Sequence, residues 1–99
     1  MLKFSNTKKF TRVAVNKLTL GSAMVYKIMN NSGKNLYTGV AGKGRGVKRL
    51  LEHKDNPKDK IPGGSRFKIA EVKTKVIALK EEKKIVKREH PKYNIQNKE

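Results

Sequence analysis

The sequence predicts an α+β fold, a small three-stranded antiparallel sheet flanked by helices. Three observations carry that expectation. Short runs rich in β-branched and aromatic residues are punctuated by Asn, Gly and Pro, the pattern of strands joined by tight turns. Two later segments repeat apolar residues at helical spacing. The chain has 99 residues, 35% of them apolar, which is enough for one small core and not for two.

Residues 1–22 hold Lys3, Lys8, Lys9, Arg12 and Lys17 and no acidic residue, while Val13, Val15, Leu18 and Leu20 alternate loosely. That reads as an extended basic arm or a short strand. Residues 23–30 read as a strand apolar on both faces, Tyr26 and Ile28 on one and Val25 and Met29 on the other. Asn30-Asn31-Ser32-Gly33 is turn chemistry, because Asn and Gly tolerate positive φ, and residues 36–40 form the returning strand of a hairpin. A glycine-rich basic loop over 42–46 leads into a helix over about 47–53, with Val47, Leu50 and Leu51 on its apolar face. Residues 54–65 carry Pro57, Pro62, Gly63 and Gly64 and form a loop. A third strand follows over 66–72 and a second helix over about 76–89, which Pro91 stops, leaving a short tail through Asn94. The expected division is a basic arm over 1–22, a domain over 23–96 and a tail over 97–99.

Charge narrows the function. Lys and Arg number 25 against 8 Asp and Glu, a formal charge of +17, which points to a polyanion and first to nucleic acid. Cysteine is absent, which excludes disulfide scaffolds and thiolate metal sites, and two histidines make structural zinc improbable. No apolar run is long enough for a membrane span, and the first twenty residues lack the core of a signal peptide, so the expectation is a cytoplasmic protein without a membrane partner.

Glu82 stands out on the second helix. At 100° per residue, Ala78, Leu79, Ile85 and Val86 fall within about 60° of it. A carboxylate on an apolar stripe is costly unless compensated, whether by a metal ion, a buried Arg or a phosphate-bound cation; the alternative is a rim Glu paired with a nearby Lys. Arg49 and His53, one turn apart, form an arrangement that can hold a phosphate, though an Arg on a helix flank is ordinarily solvated. Tyr26 and Tyr37 can face the same part of the sheet across the hairpin. The loop over 42–46 lacks the spacing of a Walker loop or a dinucleotide fingerprint, and suits a backbone-and-charge contact to phosphate or a plain connection.

In order along residues 23–96, these blocks resemble the GIY-YIG nuclease superfamily. Met24-Val25-Tyr26 and Tyr37-Thr38-Gly39 look like its two tyrosine triplets, with Met24 and Thr38 departing from the usual Gly and Ile. Arg49-Leu50-Leu51-Glu52-His53 resembles its Arg-bearing helix, with Arg45 a competing candidate. Glu82, Ile85, Val86, Pro91, Tyr93 and Asn94 resemble its C-terminal signature. The resemblance implies metal-dependent endonucleolytic hydrolysis of phosphodiester bonds, with DNA ahead of RNA as substrate. Glu82 would bind magnesium or manganese, Tyr26 would activate water, and Tyr37 would bond the phosphate or the nucleophile. Arg49 would neutralise developing charge, His53 would assist a tyrosine, and Asn94 would fix the geometry. Lys43, Arg45 and Lys48 around the loop, with Lys8, Lys9 and Arg12 in the arm, form the expected nucleic-acid contacts. The alternatives are an inactive basic nucleic-acid-binding module of the same fold and an RNA-cleaving nuclease of toxin type, delivered into a target cell.

Overall fold

A computed structural model describes residues 2–18 and 21–96; Met1, Leu20 of the loose alternation and the 97–99 tail lie outside the described residues. In chain order the elements are β1 (Lys8–Lys9), α1 (Arg12–Asn16), β2 (Ala23–Met29), β3 (Asn35–Ala41), α2 (Gly46–Asp55), β4 (Arg66–Val72), α3 (Lys75–Glu89) and α4 (Lys92–Gln96). The fold is α+β, with an antiparallel sheet in the order β1-β4-β2-β3. Four strands replace the expected three. The additional one is β1, where Lys8 and Lys9 pair with Phe67 and Arg66 of β4.

All seven residues of β2 are buried. Alternation sends Met24, Tyr26 and Ile28 into one core and Val25 into another. The hairpin closes as its composition dictates. Asn30 Oδ1 accepts the N–H groups of Ser32 (2.9 Å) and Lys34 (3.0 Å), and Gly33 sits at φ +85°. The register sets Tyr26 opposite Gly39 and Ile28 opposite Tyr37, with an irregularity between Ile28 and Met29.

The core of Met24, Tyr26, Ile28, Phe67 and Ile69 is covered by Leu50 of α2, Val15 of α1 and Phe10. The second core joins Val25 to Ala78 and Ile85 of α3. The segment expected as an arm therefore enters the fold. Ser5 N–H donates to the Ile69 carbonyl at 2.7 Å, Phe10 and Val15 are buried, and Thr11 caps α1 through the Ala14 N–H. The alternation of Val13 and Val15 belongs to this short helix, in which Val15 faces inward and Val13 is exposed.

Thr74 caps α3 by accepting the Ile77 N–H at 3.2 Å, and the helix ends where His90 turns left-handed ahead of Pro91. Lys27 of β2 is buried and donates to the Glu89 carboxylate at 2.9 and 3.2 Å beneath the Phe4 ring, tying the end of α3 to the sheet. Burial opposes the charge on Glu89, but the Lys27 ammonium and the Asn35 amide outweigh it and hold the carboxyl below its ordinary range. The residues after Pro91, expected as a tail, form α4 against β3. Among the described residues no helix is long and apolar enough to cross a membrane.

Candidate active site

The site grows from one cross-strand relation. Tyr26 and Tyr37 occupy diagonal positions on the same face of the β2–β3 hairpin, with ring centroids 6.3 Å apart. The Tyr26 ring lies over Gly39. A Cβ at that glycine would collide with the Tyr26 hydroxyl and approach Tyr37 Cε2 to 2.9 Å. Gly39 is thus the gap in β3 that the tyrosine fills.

His53 reaches this pair from α2. Its ring stands 4.8 Å from that of Tyr37 and 5.6 Å from that of Tyr26. Nδ1 lies 2.8 Å from the Asp59 carbonyl oxygen, which can only accept, so Nδ1 carries the hydrogen. In the neutral ring Nε2 is then the acceptor, and the Tyr26 hydroxyl, 2.7 Å away, donates to it. Burial is the main force holding the imidazole below its ordinary pKa, and the nearby Arg49 cation adds to it. Tyr26 and His53 thus form a directed hydrogen-bonded pair of neutral groups.

Arg49, one turn earlier on α2, is half-buried. Burial works against its charge, but Glu52 at 2.8 Å, the two phenols and Asp59 at 3.7 Å outweigh that and keep it firmly cationic. Burial raises both phenols above their ordinary range, with the mutual proximity of the tyrosines and the Glu82 carboxylate adding to the rise at Tyr26. The Arg49 guanidinium opposes that rise at both hydroxyls. Arg45, the competing candidate, is exposed at the start of α2.

Glu82 faces the hydroxyls from α3. It is half-buried, burial raises its pKa, and among the described residues it makes no ion pair. The stripe around it is narrower than the helical projection implies. Ala78 and Ile85 are buried and Val86 half-buried, but Leu79 is 42% exposed.

No family model matches the chain, and no curated protein matches its sequence.

Asn94 closes the arrangement from α4. Its Oδ1 accepts the Thr38 N–H at 2.7 Å and its Nδ2 donates to the Thr38 carbonyl at 2.8 Å, fixing β3 between Tyr37 and Gly39. Tyr26, Tyr37, Arg49, His53 and Glu82 are thus brought together, with Asn94 behind them as a positioning residue. The expected nucleic-acid contacts divide. Lys43, Arg45 and Lys48 are exposed on the loop and first turn of α2. Lys8 and Lys9 sit on β1 at the opposite edge of the sheet, where they line a cleft of about 500 Å³ with Asn31, Ser65 and Arg66. Arg12 pairs with Asp55 at 2.7 Å instead of standing free.

Among the described residues no group of three or more carboxylates or histidines gathers to cage a metal. The donor set still fits magnesium, which commonly takes one or two carboxylates and completes its shell with water and phosphate oxygens. Glu82, half-buried and without an ion pair among the described residues, has the chemistry of such a ligand.

Three contributors escape sequence reasoning. Glu52 holds Arg49 and was findable from its i,i+3 spacing. Gly39 stood in the sequence as the last residue of the second tyrosine triplet, but its part as the gap beneath Tyr26 follows only from the pairing register. The Asp59 carbonyl, being main chain, carried no signal.

Proposed function

We propose that the chain is a metal-dependent phosphodiesterase of the GIY-YIG nuclease type, cleaving DNA internally. The observation that carries this reading is the directed hydrogen bond from Tyr26 to a neutral His53 beside Arg49 and Glu82. That set supplies the functions phosphodiester hydrolysis demands: a route for the proton of the attacking water, a cation for the charge on phosphorus-bound oxygens, and a metal ligand.

With phosphate seated between Arg49 and Glu82, the Tyr26 oxygen accepts a proton from water as its own proton passes to His53 Nε2. The Asp59 carbonyl keeps the imidazole oriented and supports the imidazolium so formed. Tyr37, stacked near His53, donates its hydroxyl to the phosphate or the nucleophile, and Arg49 offsets the negative charge that builds on the phosphate. Glu82 would hold a magnesium or manganese ion, which when bound would supply Lewis-acid polarisation of the phosphate and stabilisation of the leaving oxygen. Asn94 holds the Tyr37–Gly39 segment still throughout.

The test is purified protein incubated with plasmid DNA and with RNA, in magnesium and then in chelator, beside Glu82→Gln. The expected result is metal-dependent nicking of DNA by the parent and none by the variant. Glu82→Gln should still bind nucleic acid and should melt at or above the parent temperature. The sign follows from the raised pKa. Ionisation of Glu82 weakens the fold as pH rises from about 4.3 through that pKa, and glutamine removes that penalty. Metal-independent cleavage, or an unfolded variant, would reject the assignment of Glu82. Cleavage confined to RNA would favour the toxin-type reading.

A further inference from the structure

The strongest charge feature that the site leaves unused lies on the outside of α3. Lys83, Lys84 and Lys87 project within about 60° of Lys80, and Glu82 projects about 160° from it, on the helix's inner side. All four lysines are exposed. Among the described residues only Lys84 has a carboxylate beside it, Glu81 at 3.6 Å, and Lys84 remains 69% exposed. From Lys80 to Lys87 the ridge runs about 10 Å along the helix, at 1.5 Å per residue.

Its position decides its use. The tyrosines, His53 and Arg49 gather on the α2 side of the sheet; α3 packs on the other side through Ala78 and Ile85 and reaches the site only through Glu82, which projects about 160° away from the ridge. A duplex seated at Arg49 and Glu82 cannot also lie on the outer ridge. Duplex DNA has a persistence length of about 50 nm and does not fold around so small a body. The domain measures only 31 × 29 × 24 Å. We propose that the outer face of α3 is a second binding surface for a nucleic-acid duplex, so that one molecule holds two duplex segments, one at the site and one on the ridge. This rests on the nucleic-acid reading above but not on catalysis.

Charge complementarity selects the occupant. Four exposed lysines along one line, only Lys84 of them beside a carboxylate among the described residues, suit a row of phosphates, which they bind by releasing counterions. An anionic bilayer is the poorer fit, because a helix lying in a membrane interface buries a whole apolar face opposite its cations, and on α3 that face is already packed on the sheet through Ala78 and Ile85, leaving only Val76, Ile77 and Leu79 exposed near the ridge.

The experiment is a bridging assay in chelator, where no cleavage confuses the result. One duplex is fixed to beads, and capture of a second, fluorescent duplex is measured. The parent should capture the second duplex; Lys80→Glu/Lys83→Glu/Lys87→Glu should not, while still binding the bead-bound duplex and nicking plasmid in magnesium. Its salt slope for total binding should fall by about 3, the loss of three phosphate contacts. The neutral Lys80→Gln/Lys83→Gln/Lys87→Gln variant should reproduce the loss if charge reversal disturbs folding. Sedimentation of both proteins should give the monomer mass; a dimer, which would bridge by symmetry, overturns the proposal. So does bridging retained in both ridge variants, or ridge-dependent binding to anionic vesicles with no capture of a second duplex. Bridging without magnesium-dependent nicking would sink the nuclease reading and leave this proposal standing.

Discussion

At the scale of single residues, Tyr26 carries two demands that pull against each other. In the proposed reaction its hydroxyl must lose a proton, yet burial disfavours the phenolate, so the proton needs an acceptor already in place. His53 is that acceptor. Tyr26→Phe keeps the ring packed against Gly39 but leaves His53 Nε2 buried without its donor, which should cost about 1–3 kcal/mol. Cleavage should fall about 100-fold or more, the scale of a lost general base. Denaturant melts beside plasmid time courses read both effects, and an unchanged rate would make the hydroxyl a packing group.

The imidazole gives a second, independent check. An unfolded His53 takes up its proton near pH 6.5, whereas the folded ring resists until lower pH. Its contribution to stability is therefore complete above about pH 6.5 and drains away as pH falls through the depressed folded value. The same protonation occupies Nε2 and ends its role as acceptor. NMR titration of the His53 ring should give a midpoint below about 6.5, with the acid limb of the cleavage profile following it. A midpoint above that value would remove the neutral acceptor.

At the scale of elements, the site depends on how closely β2 and β3 approach. Gly39→Ala introduces a methyl group where the Tyr26 hydroxyl already sits and crowds Tyr37, so both rings must move. Overpacking of this kind costs about 1–3 kcal/mol. The expected outcome is a lowered melting temperature and a larger loss of cleavage than the stability change explains. A variant that melts and cleaves like the parent would show that the rings move freely.

Elements with strong punctuation were legible in the sequence. The strand over 66–72 is bounded by Gly64-Ser65 and Lys73 and matches β4, and Pro91 marks the end of α3. The helix spacing that singled out Glu82 also holds. The neighbourhood of Leu79 was misjudged because α3 meets the sheet along a line narrower than an apolar stripe, through Ala78 and Ile85. The strand at Lys8–Lys9 had no apolar signature, since what makes it a strand is the free edge of β4. Chemistry and spacing gave only weak grounds for Tyr26, Tyr37, Arg49 and His53, and it was the family resemblance that named them as site candidates. The fixed tautomer of His53 could not be read there, because it depends on a backbone carbonyl delivered by the 54–65 loop.

At the scale of the whole molecule, the N-terminal segment changes meaning. Phe10 packs on Phe67 with ring centroids 5.7 Å apart, and β1 lengthens the sheet. Deleting residues 1–10 removes a buried aromatic whose truncation alone typically costs about 3–5 kcal/mol. That is a large share of the roughly 5–15 kcal/mol that holds a small domain together. The shortened chain should lose its cooperative thermal transition, followed by circular dichroism. A melt close to the parent's would restore this segment to the status of a detachable basic arm.

The grip of Asn94 on Thr38 reaches beyond catalysis. β3 is the last strand of the sheet, and an open strand edge invites another chain to zip onto it. One side-chain amide takes both the N–H and the carbonyl of Thr38, as the backbone of an adjoining strand would. The contact that fixes β3 between Tyr37 and Gly39 also works against aggregation, occupying at Thr38 the edge groups that a strand from another copy would pair with.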